Sequence, residues 1–314
     1  MDDIMELARE ATWKRFGKQI TFYLPGMFSC NGISGRYSAI SITGPDCRLQ
    51  CEHCRAKILV PMIHAAEPDL LVEKCLQLER RGDLGVLISG GCDEEGRLPW
   101  QKFISALHEV KSQTRLKVSI HSGLVDHATA LELKRAGVDQ VLIDVIGDDE
   151  TCQKVYHLDS GVARITAALD ALDKAQLPIV PHIVCGISYG KIRAERKALE
   201  IISNFKVDIL VFIPLMRIPG TPMWNVASLP ANRVAGLVAE ARLMMPDTQI
   251  SLGCARPRGC ADLETLAVDA GVCRLALPSQ AALNRARYYE LEILYQRTCC
   301  SVFEGIHESQ WEIP

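Results

Sequence analysis

Three cysteines lie close together in the segment CRLQCEHC, and their spacing has a chemical meaning. Cys47, Cys51 and Cys54 follow one another as C-x-x-x-C-x-x-C within one loop. Three thiolates can hold a cluster of four irons and four sulfides, and the iron without a protein ligand stays open to a small molecule. The spacing therefore predicts a [4Fe-4S] cluster with one exchangeable coordination position.

Zinc is the main alternative occupant of these three thiols. Zinc sites usually need four ligands in paired C-x-x-C or C/H patterns, and no matching pair lies nearby in the sequence. His53, directly before the third cysteine, could be a fourth zinc ligand, and the thiols could also be merely buried. The iron–sulfur cluster is the favoured interpretation, and the other two stay open here.

The elements that position these residues follow an alternating pattern. Short β-branched runs alternate with longer amphipathic stretches from residue 39 nearly to residue 287, as is typical of βα units around a parallel sheet. Eight such runs predict an α/β fold, a single closed (βα)8 TIM-type barrel over 39–287, with chemistry at the carboxyl ends of its strands. The predicted strands are 39–43, 85–89, 116–121, 140–145, 178–184, 208–213, 249–253 and 273–277.

Two segments flank the predicted barrel. Residues 1–38 are expected to form a helix followed by an irregular cap segment. Residues 288–314 are expected to form a C-terminal tail that covers the barrel mouth. We find no linker that would divide the chain into further domains.

Composition restricts the class of protein. A formal net charge of -3 and a pI near 6.3 argue against a general nucleic-acid binder. No run of about 18 apolar residues predicts a membrane span, and the acidic start does not resemble a secretory signal, so we expect a cytoplasmic protein. In a reducing compartment the 13 cysteines indicate metal binding or catalysis rather than disulfides.

The sequence around Cys47, Cys51 and Cys54 resembles the radical S-adenosylmethionine (SAM) superfamily. The resemblance implies that the amino and carboxylate groups of SAM bind the open iron, and that an electron cleaves SAM to a 5′-deoxyadenosyl radical. It also implies that His53 packs near the adenine. Further SAM contacts implied by position are Ser89, Gly90 and Gly91 as the glycine-rich motif and Asp144 as the ribose carboxylate.

Other polar side chains near strand ends are weaker candidates for the same pocket. His121 and His182 could contact SAM or substrate, or could be satisfied core histidines. Arg217, Arg256 and Arg258 could hold the SAM carboxylate, or could be solvated loop charges.

Nearly the whole chain is similar to biotin synthase-like proteins. IPGTPM, ISLGCARPRG, GVCRLAL and the terminal TCCS resemble a group that includes the second component of a two-protein lipoyl synthase. Membership would imply sulfur insertion into an octanoyl chain on a carrier protein. The implied partners are SAM, the octanoylated lipoyl carrier protein, a sister radical SAM component and an electron donor such as ferredoxin or flavodoxin. A biotin synthase-like or other radical SAM enzyme acting on a small molecule is the alternative.

The remaining cysteines suggest a second, auxiliary [4Fe-4S] cluster that donates the sulfur. We expect Cys254, Cys299 and Cys300 to bind it, with Ser301 or Cys92 as the fourth ligand. Their alternative is a role as buried small hydrophobic residues. A non-catalytic iron–sulfur carrier or scaffold is a third functional class, which the glycine motif and Asp144 disfavour because a carrier needs no nucleoside pocket.

Overall fold

The computed structural model describes residues 2–30 and 32–303. Within them the helices are α1 (Asp2–Phe16), α2 (Pro68–Arg81), α3 (Trp100–Gln113), α4 (His127–Arg135), α5 (Asp149–Tyr156), α6 (Gly161–Lys174), α7 (Glu195–Ile202), α8 (Ala231–Met244), α9 (Ala261–Asp269) and α10 (Gln280–Tyr288). The strands are β1 (Gln19–Tyr23), β2 (Ser29–Cys30), β3 (Ile33–Ser34), β4 (Tyr37–Ser41), β5 (Ile63–His64), β6 (Gly85–Ser89), β7 (Lys117–His121), β8 (Gln140–Asp144), β9 (Ile179–Cys185), β10 (Ile209–Pro214), β11 (Gln249–Leu252), β12 (Arg274–Ala276) and β13 (Glu292–Gln296).

All eight predicted strands form, and they are β4 and β6 to β12. Each pairs in parallel with the next one along the chain, with α2 to α9 distributed between them. Their continuous apolar runs suit strands that are buried on both faces. The predicted α/β class and its parallel sheet are therefore confirmed.

The sheet differs from a closed barrel of eight strands. It has eleven strands in the order β13-β1-β12-β11-β10-β9-β8-β7-β6-β4-β5, so β12 pairs with β1 rather than with β4. The amide of Arg36, just before β4, donates to the carbonyl of Arg297, just after β13, at 2.6 Å. This contact brings the two sides of the sheet together, and the fold is a curled parallel sheet with additional edge strands.

The N-terminal segment contributes more than a cap. Residues 19–23 form β1, which lies between β12 and β13. Ile20 and Phe22 are fully buried with the helices, whereas Tyr23 belongs to the other face. Alternating burial of this kind is typical of a strand inside a sheet, so this short apolar run forms an inner strand. The sequence pattern predicts only an irregular segment for this run.

The two faces of the sheet have different neighbours. The convex face packs against the helices and forms the main core, which includes Ile40, Ile88 and Ile120. The concave face carries a smaller apolar cluster, which includes Tyr23, Leu142, Val180, Val211 and Ala276. None of the helices in the described ranges is long and apolar enough to cross a membrane.

A buried ion pair joins the ends of β11 and β12 to α9. Arg256 Nη2 lies 2.7 Å from Glu264 Oε1, and Arg256 Nη1 donates to the carbonyls of Gly253 and Ala276 at 2.7 Å. Glu264 also accepts the Ser279 amide at 2.6 Å. These contacts occupy the Arg256 guanidinium in the fold, so it is not available to the SAM carboxylate.

We expect Arg256→Leu to lower the free energy of unfolding by about 3–5 kcal/mol, because it leaves the Glu264 carboxylate buried without its charge partner. Urea denaturation measures the change. Arg258→Leu is the matched control, since Arg258 is exposed. An equal loss in both variants would contradict a structural role for the Arg256–Glu264 pair.

Candidate active site

The three cysteines of the motif lie in the loop between β4 and β5, at the carboxyl end of the sheet. Tight turns fold this loop: the amides of Cys54 and Arg55 donate to the carbonyl of Cys51 at 3.1 and 2.9 Å. Potential ligand atoms of Cys51, His53 and Cys54 all lie within 4.8 Å of one another. The loop therefore directs a compact set of metal-binding side chains toward one point.

A hydrogen bond joins two thiols of this loop, those of Cys51 and Cys54. A hydrogen bond from Cys51 lowers the pKa of Cys54 to about 4, with His53 also lowering it. The same hydrogen bond and burial raise the pKa of Cys51. The hydrogen bond between the two thiols thus favours the thiolate of one of them, and binding of a cluster would release the remaining proton.

The glycine-rich motif packs directly against the cysteine loop. The Gly91 amide donates to Thr43 Oγ1 at 2.7 Å, and Ser89 at the end of β6 accepts the Ile42 amide at 2.8 Å. A Cβ on Gly91 would lie only 1.9 Å from the Asp46 carbonyl oxygen and 2.4 Å from Cys47 Cβ. Only glycine allows the two loops to approach this closely. The role of Thr43 has no sequence signal, because its partner is 48 residues away.

Asp144, His121 and His182 come together on the concave face. Asp144 and His121 end neighbouring strands, and their Oδ1 and Nε2 atoms are 3.7 Å apart. The rings of His121 and His182 have centroids 5.7 Å apart. These side chains lie at the carboxyl ends of their strands, at the opening of the curled sheet that we call the mouth. A nucleoside could be held there. Their contacts with SAM stay predictions.

Burial keeps His182 neutral. Desolvation, followed by the charge of His121, lowers its pKa to about 4, and its Nδ1 donates to the Val180 carbonyl at 3.0 Å. The second ring nitrogen is then left as an acceptor. The charge of Asp144 opposes the shift without reversing it.

Acidification should destabilise the protein through His182. The unfolded chain takes up a proton below about pH 6.5, while the folded histidine stays neutral to about pH 4. The free energy of unfolding should therefore fall by about 2 kcal/mol through this group between pH 6.5 and pH 5. His182→Asn should flatten that part of the pH profile in urea titrations, and an unchanged slope would contradict the assignment.

His53 and Arg217 occupy different settings around the mouth. The His53 ring lies 5.2 Å from that of Tyr156, and its Nδ1 is buried without a hydrogen-bond partner among the described residues. Arg217 is exposed in the loop after β10. Lys57 Nζ donates to the Pro219 carbonyl at 2.6 Å and so ties the cysteine loop to that loop. The predicted SAM contacts of His53 and Arg217 stay predictions.

The described part of the C-terminal tail lies on the concave face, opposite the mouth. Arg274 Nε donates to the Cys300 carbonyl at 2.9 Å, and Gln140 Nε2 donates to the Ser301 carbonyl at 2.8 Å. Arg274 and Gln140 begin β12 and β8, so this segment fills the amino-terminal end of the curled sheet. In the described part of the tail the apolar Cys300 packs inside the sheet, and coverage of the mouth by the tail stays a prediction. Residues 304–314 lie outside the described residues.

Three of the four residues expected at the second cluster are close neighbours in the tail. Cys299 Sγ lies 3.0 Å from Ser301 Oγ, and hydrogen bonds from Cys300 and Ser301 lower the pKa of Cys299 to about 6. Burial and the charge of Cys299 raise the pKa of Cys254 to about 12, and Cys254 packs against the apolar cluster that contains Cys300. Cys92 instead lies beside the cysteine loop, where its carbonyl accepts the Arg48 amide at 2.7 Å. Of the two proposed fourth ligands, Ser301 thus lies in this group and Cys92 lies at the mouth.

Comparison with known proteins agrees with the geometry of the mouth. The model of the radical SAM superfamily matches residues 41–195, which hold the cysteine loop, the glycine motif and Asp144. Residues 41–195 form a radical SAM domain. The chain is therefore a radical SAM enzyme, and this domain implies a [4Fe-4S] cluster that works with SAM. Zinc binding by the three cysteines is accordingly disfavoured.

Curated relatives and solved structures resemble most of the chain. The biotin synthase of Rickettsia felis is 23% identical over 248 residues, covering 75% of this chain and 77% of that protein. The biotin synthase of Neorickettsia sennetsu is 26% identical over 243 residues, covering 74% and 72%. Methylornithine synthase has a TM-score of 0.63 at 17% identity, covering 93% of this chain and 88% of that one. The hydrogenase maturase HydG has a TM-score of 0.64 at 12% identity, covering 90% and 62%. The two structures support the fold alone.

The residues at the mouth fit the cluster that the superfamily implies. The ligand atoms of Cys51, His53 and Cys54 lie within 4.8 Å of one another, Cys47 lies in the same loop, and the His53 Nδ1 is buried without a hydrogen-bond partner among the described residues. Cys47, Cys51 and Cys54 would hold the cluster, which supplies the electron for SAM cleavage when bound. The protein's own contribution is to hold SAM beside it, with Gly90, Gly91 and Asp144 as the candidate contacts.

Proposed function

We propose that this radical SAM enzyme inserts sulfur into an octanoyl chain on a carrier protein, as one component of a two-protein lipoyl synthase. The observation that carries the proposal is the buried thiol group of the tail. Cys299 and Cys300 enter the concave side of the same sheet whose carboxyl end holds the radical SAM motif. A sulfur source inside the sheet could then reach a substrate that extends inward from SAM.

The tail thiols have the chemistry expected of cluster ligands. Two adjacent cysteines and a serine hydroxyl are buried together, and the lowered pKa of Cys299 favours its thiolate. Cys254, Cys299, Cys300 and Ser301 would hold an auxiliary [4Fe-4S] cluster, which would supply sulfur when bound. Arg274, buried beside them, donates to the carbonyl of Cys300 and so holds this turn in place.

The concave face between the mouth and the tail is suited to an alkyl chain. Leu87, Leu142, Val211 and Ile213 contribute apolar side chains to its clusters. Burial of methylene groups against such residues stabilises a complex by about 0.8 kcal/mol each. An octanoyl chain could therefore bind with its carbons directed from the mouth toward the tail.

Mass analysis of an octanoylated lipoyl carrier protein tests the proposal. The carrier is incubated with SAM, a strong reductant and this chain, first alone and then with the sister component. We expect added sulfur in at least one of the two reactions, accompanied by 5′-deoxyadenosine. Formation of 5′-deoxyadenosine with no sulfur on the carrier in either reaction would reject the lipoyl assignment while leaving the radical SAM activity intact.

A second candidate function is sulfur insertion into a free small molecule. It is favoured by His121 and His182, which lie beside Asp144 and could hydrogen-bond polar groups of such a substrate while Asp144 holds the SAM ribose. The similarity of the chain to biotin synthases is consistent with it. A reaction with free octanoate in place of the octanoylated carrier separates the two, because the carrier-dependent enzyme should leave the free acid unchanged.

A further inference from the structure

Two polar atoms at the cysteine loop are buried without a hydrogen-bond partner among the described residues. They are Nδ1 of His53 and the hydroxyl of Tyr156, a residue that is only 7% exposed. The two rings lie against each other, with their centroids 5.2 Å apart and their planes inclined by 50°. Because a buried polar atom without a hydrogen bond is costly, two of them side by side indicate a site where a ligand supplies the missing bonds.

The neighbours of Tyr156 in sequence fix its position at the end of α5. The Glu52 amide donates to the Val155 carbonyl at 2.9 Å, and His157 Nδ1 donates to the Leu49 carbonyl at 2.7 Å. His157 Nε2 also lies 3.2 Å from Glu52 Oε1. Since both neighbours are bonded to the cysteine loop, Tyr156 cannot move away from that loop without breaking these contacts.

Tyr156 borders the mouth as well as the cysteine loop. It lines one small pocket together with Asp144, which ends β8. Its ring partner His53 has a ligand atom within 4.8 Å of those of Cys51 and Cys54. The paired rings of Tyr156 and His53 therefore adjoin both the thiols that would hold the cluster and the candidate ribose carboxylate.

We propose that Tyr156 is a further SAM-binding residue, whose hydroxyl hydrogen-bonds the polar edge of the adenine base while its ring packs beside the base. Of the parts of SAM, only adenine combines a flat aromatic surface with a donor next to an acceptor, its exocyclic amine beside a ring nitrogen. Tyrosine and histidine rings suit the aromatic surface. A phenol hydroxyl can donate or accept, so it can meet either kind of atom on that edge.

The proposal holds for both candidate functions, because each of them uses SAM. It makes the affinity for SAM depend on the base as well as on the iron that binds the methionine part. Loss of the Tyr156 hydroxyl should therefore weaken the binding of SAM and leave the binding of methionine itself unchanged. A residue that only shaped the cysteine loop would affect both compounds.

Equilibrium dialysis with labelled SAM tests the proposal on the reconstituted full-length protein, with its iron–sulfur sites oxidised so that SAM is not cleaved. Tyr156→Phe keeps the ring and should weaken SAM binding about fivefold, the usual effect of losing one neutral hydrogen bond. Labelled methionine should bind both proteins equally. Tyr289→Phe is the matched control, because it removes a hydroxyl that donates to Asp269 Oδ1 at 2.8 Å between α9 and the end of α10.

An analogue of SAM without the ribose 2′-hydroxyl separates the base from the ribose. Its affinity relative to SAM should be the same in the unchanged protein and in Tyr156→Phe, because the two changes then remove independent contacts. Unchanged SAM binding by Tyr156→Phe would overturn the proposal, and so would an equal loss of SAM and methionine binding or a loss of the preference for the 2′-hydroxyl. Iron content and thermal unfolding of each protein ensure that folded, cluster-loaded chains are compared.

Discussion

Cys54→Ala should abolish the reductive cleavage of SAM, with a loss of at least about a thousandfold, or ~4 kcal/mol of barrier. Cys54 is a buried thiol, and its sulfur lies within 4.8 Å of the ligand atoms of Cys51 and His53. Its removal leaves two motif thiols, too few to hold the cluster with a single open iron. Formation of 5′-deoxyadenosine in the presence of a strong reductant measures the loss.

Cys260→Ala provides the comparison for this variant, because it removes one cysteine from an exposed loop. It should retain both SAM cleavage and the iron content of the unchanged protein. Undiminished 5′-deoxyadenosine formation by Cys54→Ala would show that another group holds the cluster. The radical-generating role of the motif would then have to be reassigned.

Joint replacement of Cys299 and Cys300 by alanine should separate the two halves of the proposed reaction. SAM cleavage should stay within about twofold of the unchanged protein, because the radical SAM motif is intact. Sulfur addition to the octanoylated carrier should fall below detection, because the tail would lose two ligands of the sulfur source. Iron content should fall from about eight to about four atoms per chain.

The iron content of the unchanged protein tests the auxiliary cluster independently of the tail variant. An unchanged protein that holds only about four irons after reconstitution would contradict the auxiliary cluster directly. Thermal unfolding monitored by circular dichroism shows whether the buried substitutions disturb the fold. Cys299→Ser with Cys300→Ser tests the same ligands with polar side chains of similar size.

The site at the mouth is the part of this protein that local sequence predicts best. Cys47, Cys51 and Cys54 lie within eight residues, so their convergence needs only one folded loop. Asp144 and Ser89 end their strands as predicted, and parallel strands place their carboxyl ends at one side of a sheet. The existence of the eight strands follows in the same way from their apolar runs.

The tertiary structure alone decides where the distant segments lie. β1 joins the sheet beside β12, a partner about 250 residues away, and no local pattern specifies that pairing. Contacts between distant residues likewise decide the position of the tail. Cys300 packs against the concave face, and hydrogen bonds from Gln140 and Arg274 hold the turn of the tail in place.

Cys92 shows most clearly what the sequence determined and what it left to the fold. The sequence by itself determined the radical SAM motif and an excess of cysteines around it, because both are matters of residue type and short spacing. It did not determine which cysteines lie together, and it allowed Cys92 as a fourth ligand of the auxiliary cluster. The contact of Gly91 with Cys47 places Cys92 at the mouth instead, because close packing between loops that are distant in sequence arises only when the sheet has curled.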